Sequence, residues 1–253
     1  MDRRSFYNCW NFVKNNFFLT FFISDPIIAK EVLIQKSKYF DRAKEGTDNY
    51  DPIYEHNVFS SNGEEWKRYK TLLSPGFSEL NLKLIFENHI HESTDELCNI
   101  WNEKIEKGKN LFNVSNFMKE LALDIIGSAG FGIKLNAVKN NDMKIMSWTR
   151  KWVRALQFTA LIPPSLHYYT VLGLFTVMKE FYDVSKQFKE MLSGIINERK
   201  IELEKSNDEK FDLLSRMIEA TDNEYNPLKN HELMGNAHVL LVAGHEVFLL
   251  ILF

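Results

Sequence analysis

Chemistry in this 253-residue chain would have to come from one aromatic–cation pair, one histidine series and two cysteines. Trp66 and Lys70 stand four apart in Glu64-Glu65-Trp66-Lys67-Arg68-Tyr69-Lys70, so on a helix the indole and the ammonium share one face. The cation there could meet an anion beside the indole, or it could snorkel over the ring and end in water. His231, His238 and His245 recur every seven residues, which on a straight helix keeps them within about 40 degrees of one another. Such a stripe could contribute to a transition-metal site in a bundle. Seven residues, however, rise about 10 Å along the axis, too far for three ligands to share one ion at about 2 Å. The chain has no His-Glu-x-x-His or Glu-x-x-His spacing, and the three read as ordinary polar or snorkelling histidines. Cys9 lies in Phe6-Tyr7-Asn8-Cys9-Trp10 and Cys98 in an amphipathic helical pattern; they form no Cys-x-x-Cys, and neither reads as catalytic.

The elements that must position these residues are helical. Eleven Gly and six Pro fall well below the usual combined share of about 12%, while 20 Phe supply apolar volume. Asp25-Pro26 gives a cap and a first-turn Pro for a short helix carrying Ile28, Val32 and Leu33. A second helix spans Glu64 to Leu73 and stops at Ser74-Pro75-Gly76. Leu80 to Ile105 places Phe86, Ile90, Leu97 and Trp101 on one stripe, and Val114, Phe117, Leu121 and Ile125 make another. After Pro163-Pro164 a long helix runs through Leu174, Phe181, Phe188 and Ile195 towards Arg199, with Glu198 to Lys210 as its solvated, charged tail. Phe211 to Ala220 is a further helix, 223–230 a turn, and a final helix starts at His231. Strand signal is confined to the region before Asp25, where Phe17 to Ile23 reads as a buried strand.

A formal charge of -3, with acids and bases interspersed, gives no basic field for a phosphate backbone and argues against nucleic-acid binding. Two cysteines are too few for a secreted disulfide framework and suit a reducing compartment. No stretch offers the roughly 18 uninterrupted apolar residues of a membrane span.

Asn57 to Ser78, built around Trp66 and Lys70, resembles the C-helix region of the cytochrome P-450 family, the haem-thiolate monooxygenases. Other segments follow in the family's order. Ile23-Ser24-Asp25-Pro26 and Tyr39-Phe40-Asp41-Arg42 resemble its early strand and B helix, and Leu121 to Gly132 its E helix. Asp212-Leu213-Leu214 and Asn236 to Glu246 resemble its H helix and central I helix. The resemblance covers nearly the whole chain but about the first half of a family member. It implies a mainly α fold, helices B to I with a small N-terminal β element, and residues 1-253 as a single incomplete domain.

That resemblance implies haem as cofactor, an apolar small-molecule substrate, a reductase linked to NADPH, and the cytosolic face of the endoplasmic reticulum for an intact eukaryotic relative, although this chain shows no anchor. Trp66 and Lys70 would hold a haem propionate, with Lys70 standing where the family usually has Arg. Ala243 and Gly244 would face oxygen and Glu246 would serve the proton path, while Val247 replaces the expected Thr. The loop from Asp48 to Ser61 and the segment from Leu161 to Tyr169 would border the substrate. The family's Glu-x-x-Arg helix and thiolate Cys loop are absent from these residues, so the chain alone is expected to be catalytically incompetent. A non-catalytic helical fragment or interaction module is the alternative. Two further expectations concern the end of the chain. Helices around Leu121 and Leu240 should carry uncovered apolar faces. The run Val247 to Phe253 reads either as translated intron, since Val codons begin with GT, or as a truncated pseudogene end.

Overall fold

The computed structural model describes residues 12–14, 18–20, 23–42, 57–109, 111–140, 144–159, 175–205, 210–222, 224 and 226–252. The chain divides into two compact units, Met1–Ala43 and Lys44–Phe253. In the first, strands β1 (Phe12–Lys14) and β2 (Phe18–Thr20) pair antiparallel with Val13 opposite Leu19. Asp25 then caps α1 (Pro26–Lys30): its carboxylate accepts from the Ile27 and Ile28 N–H groups, and Pro26 occupies a first-turn position where an N–H would lack a helical partner.

The second unit is helical. It comprises α2 (Gly63–Leu73), α3 (Glu79–Ile85), α4 (His91–Glu106), α5 (Val114–Ile125) and α6 (Ala137–Asn140). There follow α7 (Lys144–Thr159), α8 (Phe175–Lys205), α9 (Leu213–Glu219) and α10 (Asn230–Leu252). Its main core joins Tyr69 and Leu72 of α2, Trp152 of α7, Phe188 and Leu192 of α8, and Leu233, Ala237 and Leu241 of α10. The four-residue spacing of that last trio is what turns one face of α10 inward.

Four expectations need correction. The single stripe from Leu80 to Ile105 is interrupted by a π-helical turn, Phe86–Ile90, between α3 and α4. The wider turn shifts the helical phase, so Ile85 and Leu97 are buried while Phe86 is 54% exposed. The tail after Glu198 is not uniformly solvated, because Arg199 is buried. Its guanidinium donates to the Phe131 carbonyl at 2.9 Å and pairs with Asp212 at 3.4 Å, and Asp212 caps α9 through the Ser215 N–H. Gly132, at φ 63°, makes this possible, since a Cβ there would stand 2.1 Å from the guanidinium. Leu121 is not on an uncovered face; it is buried against Leu97 and Val138, and Leu240 is half-buried beside Leu72, Leu73 and Met217. Finally, His238 is no snorkelling residue. It is 1% exposed, with ring contacts to Trp152 at 4.9 Å and Phe188 at 5.2 Å.

Helix α7 escapes the sequence reading. Met146, Thr149 and Trp152 form its buried line at a spacing of three. A polar residue in that line, flanked by Arg150 and Lys151, hides the period, and the Thr149 hydroxyl is satisfied by donating to the Ile145 carbonyl.

Candidate haem-edge site on helices α2 and α10

Helix α2 is fixed at both its approach and its inner face. Before it, the Asn57 side chain accepts from the Phe59 and Ser60 N–H groups, and the Val58 N–H donates to Asn236 Oδ1 at 2.9 Å. Asn236, fully buried on α10, donates in turn to the Glu232 carbonyl at 2.8 Å. One turn into α2, Arg68 reaches three acceptors: Asp222 at 2.9 Å, Glu232 at 2.7 Å and the Pro227 carbonyl at 3.1 Å. The Tyr69 hydroxyl lies 3.2 Å from Glu65 and 3.4 Å from Glu232. Burial and those two carboxylates push the Tyr69 phenol well up, so it remains a donor.

With Arg68 turned towards Glu232 on α10, the opposite face of α2 presents Trp66 and Lys70. The Lys70 ammonium stands 4.9 Å from the centroid of the Trp66 ring and is exposed. Both expected haem-edge residues are thus brought together, in the stacked arrangement that the four-residue spacing allows. An ammonium and an indole N–H are both hydrogen-bond donors, a combination whose chemistry suits a carboxylate.

On α10, the Ala-Gly pair presents two different sides. Ala243 is exposed, whereas Gly244 packs on Ile126, the first residue of a π-helical turn (Ile126–Gly130) that continues α5. A Cβ on Gly244 would stand 2.6 Å from Ile126 Cδ1. The glycine is therefore required for the approach of α10 to α5. Glu246 and Val247 belong to α10, but their side chains lie outside the described residues, as does that of His245. Of the expected substrate borders, 48–56 and 161–169 lie outside the described residues, and Asn57 to Ser61 forms the turn that leads into α2.

Sequence reasoning missed Arg68, Glu232 and Ile126. Arg68 sits two residues from Trp66, on the other side of the helix, and its partners lie more than 150 residues away. Cys98 is exposed on α4, and Cys9 lies outside the described residues.

The helix order, with a long α10 running past α2 and against the α5 turn, defines a mainly α fold that solved structures share. The haem domain of cytochrome P-450DA matches with a TM-score of 0.67 at 21% identity, over 88% of this chain and 46% of that one. A retinoic-acid-bound cyanobacterial relative, CYP120A1, matches with a TM-score of 0.59 at 16% identity, over 87% of this chain and 45% of that one. In sequence, the family model described as cytochrome P-450 matches residues 7–248. The chain belongs to the cytochrome P-450 family. Similar curated proteins include cytochrome P-450 monooxygenase 124 of Postia placenta, 24% identical over 90% of this chain and 44% of that protein. Cytochrome P-450 3A41 of Mus musculus is 26% identical over 89% of this chain and 45% of that protein. The chain therefore spans less than half the length of the curated relatives it matches.

Proposed function

We propose that residues 1–253 are the first part of a single haem-dependent monooxygenase domain that inserts one oxygen atom into an apolar organic substrate, with electrons from an NADPH-linked reductase. The observation that carries this is the Lys70 ammonium over the Trp66 ring, on a helix tied to α10 by Arg68. Family membership supports the reaction class.

In this reading Lys70 and the Trp66 N–H hold a haem propionate. Lys70 acts as a point charge without the planar fork of an arginine, so the contact is looser. Bound haem supplies the iron at which dioxygen is activated. Ala243 lines the oxygen side, while Gly244, facing Ile126, lets α10 approach the α5 turn. Glu246 holds a proton for delivery, and Val247, an isostere of Thr without its hydroxyl, removes one donor from that relay. The complete protein works at the cytosolic face of the endoplasmic reticulum. No helix among the described residues is long and apolar enough to cross a membrane. The thiolate comes from residues outside these 253, so the chain by itself does not catalyse the reaction.

Absorption spectra of the reduced protein under carbon monoxide test both parts. The complete protein should give the red-shifted thiolate band and residues 1–253 alone should not. In the complete protein, Lys70→Ala should weaken haem retention. A thiolate band from residues 1–253, or unchanged retention in Lys70→Ala, would contradict the assignment.

A further inference from the structure

Helices α4 and α5, with the start of α6, enclose a cleft of about 670 Å³, within the range of small-molecule sites. None of its lining residues has a role in the haem-edge reading. In its wall is Glu120, 3% exposed, whose carboxyl has no hydrogen-bond or ion-pair partner among the described residues. Asp124, one turn further along α5, differs: it accepts from the Ala137 N–H at 2.7 Å and the Val138 N–H at 3.0 Å. A carboxyl on a nearly buried side chain that lines a cleft without a protein partner calls for an explanation.

The rim decides which ligand would satisfy it. Lys139 faces Glu96 at 3.8 Å and Lys107 faces Glu103 at 3.4 Å, so these charges cancel in pairs. Lys104 and Lys109 remain without an acidic partner within ion-pair distance among the described residues. Lys104 leans on Phe117, 5.5 Å from its ring centroid, and Ile100 and Val138 extend that apolar wall. The cleft combines two uncommitted cations, an apolar wall and one buried carboxyl, and a free metal cation would meet net positive charge there.

We propose that this cleft binds an organic anion, one carboxylate or phosphate on an apolar body, with Lys104 and Lys109 meeting the charge, Glu120 donating its O–H, and Phe117 and Ile100 covering the body. Burial and the negative charge of Asp124 raise the Glu120 carboxyl above the ordinary range, with Lys104 opposing. The groups around it are Asp124 on its own helix, Glu96, Glu103, Lys104 and Lys107 on α4 and its end, Lys109, and Lys139 on α6. An anion bound at Glu120 favours the protonated form, so affinity is present below the raised pKa and declines as pH rises through it.

Calorimetric titration of the 253-residue chain with 2-naphthoate tests this, with inorganic phosphate as an anion that lacks an apolar body. Naphthoate should bind at least about threefold more tightly at about pH 6 than at about pH 8, and phosphate more weakly than naphthoate at both. Glu120→Gln keeps a donor, so it should still bind and lose the pH dependence. Lys104→Met, at a partly exposed position, should weaken binding by about tenfold. The proposal is overturned by the absence of saturable naphthoate binding in the millimolar range, by affinity unchanged in Lys104→Met, or by an undiminished pH slope in Glu120→Gln. Calcium or magnesium binding that Glu120→Gln abolishes would equally overturn it, in favour of a cation site.

Discussion

Replacing Gly244 by Ala isolates the contact that sets how closely α10 approaches α5. The new methyl carbon would lie 2.6 Å from Ile126 Cδ1, 2.9 Å from Cγ1 and 3.7 Å from Cβ. Carbon atoms in contact prefer about 3.5 to 4.0 Å, so the two outer atoms of Ile126 overlap the methyl by about 1 Å while Cβ does not. Overpacking of this kind costs about 1 to 3 kcal/mol. Ala gains about 1 kcal/mol over Gly in a helix interior, so the net destabilisation should be about 0 to 2 kcal/mol. Removing the obstacle separates the two effects. Ile126→Ala deletes both clashing atoms and costs about 2 to 4 kcal/mol through its own cavity, because Ile126 packs on the main core and on the cluster around Leu123. In that background Gly244→Ala should become stabilising by up to about 1 kcal/mol, leaving only the helical preference. Urea unfolding of the four chains, followed by circular dichroism, gives the cycle, with shared slopes showing that the unfolded states are comparable. The same Gly244→Ala cost in both backgrounds, within about 0.5 kcal/mol, would show that Ile126 is not the residue that requires glycine.

Three further outcomes follow from the same geometry. Arg199→Met leaves Asp212 buried without its cation beside the Phe131 carbonyl, and should lower stability by about 3 to 5 kcal/mol in urea unfolding; a loss below about 1 kcal/mol would show that the pair is not worth its burial. Burial lowers His238 to about 3, so between pH 6.5 and about 3 the unfolded chain binds a proton that the folded one refuses. Stability should therefore fall on acidification through that window by up to about 1.4 kcal/mol per pH unit from this residue, and His238→Phe should flatten the acid limb; parallel wild-type and variant profiles would refute the assignment. In the complete protein, Lys70→Arg supplies a planar donor pair and should slow haem loss to apomyoglobin, whereas faster loss would argue against a propionate at this position.

What the sequence makes legible is whatever repeats locally. The Asp25-Pro26 start of α1, the Asp212 start of α9, and the stacking of Lys70 on Trp66 all depend on residues within a turn or two, and capping chemistry or helical spacing suffices to place them. The π turns after Ile85 and Ile125 do not announce themselves, because each adds a residue to a turn whose apolar spacing still looks α-helical. Arg199 illustrates the other limit. Within a run of charges it looks solvated, and only its position over Gly132, with Asp212 arriving from the next helix, makes burial favourable. Glu120 is similar, since an acid in an amphipathic helix is ordinarily on the wet face, and here α4 and α6 cover it.

Arg68 and Lys70 show how one helix divides its cations by direction. Two residues apart, they point to opposite sides of α2, and the surroundings give them different work. Arg68 has a planar fork and meets three fixed acceptors, two of them carboxylates on segments that precede or begin α10. A lysine there would lose at least two of those three contacts, because a single ammonium cannot span acceptors placed for a guanidinium. Lys70 has no such set of fixed partners among the described residues; it is exposed and lies over the Trp66 ring. A flexible ammonium suits that position if its partner is brought by a cofactor and can settle within a range of positions. Arg68 holds the helix and, on the proposed function, Lys70 serves the cofactor, so an exchange of the two residue types should damage stability at position 68 and alter cofactor retention at position 70.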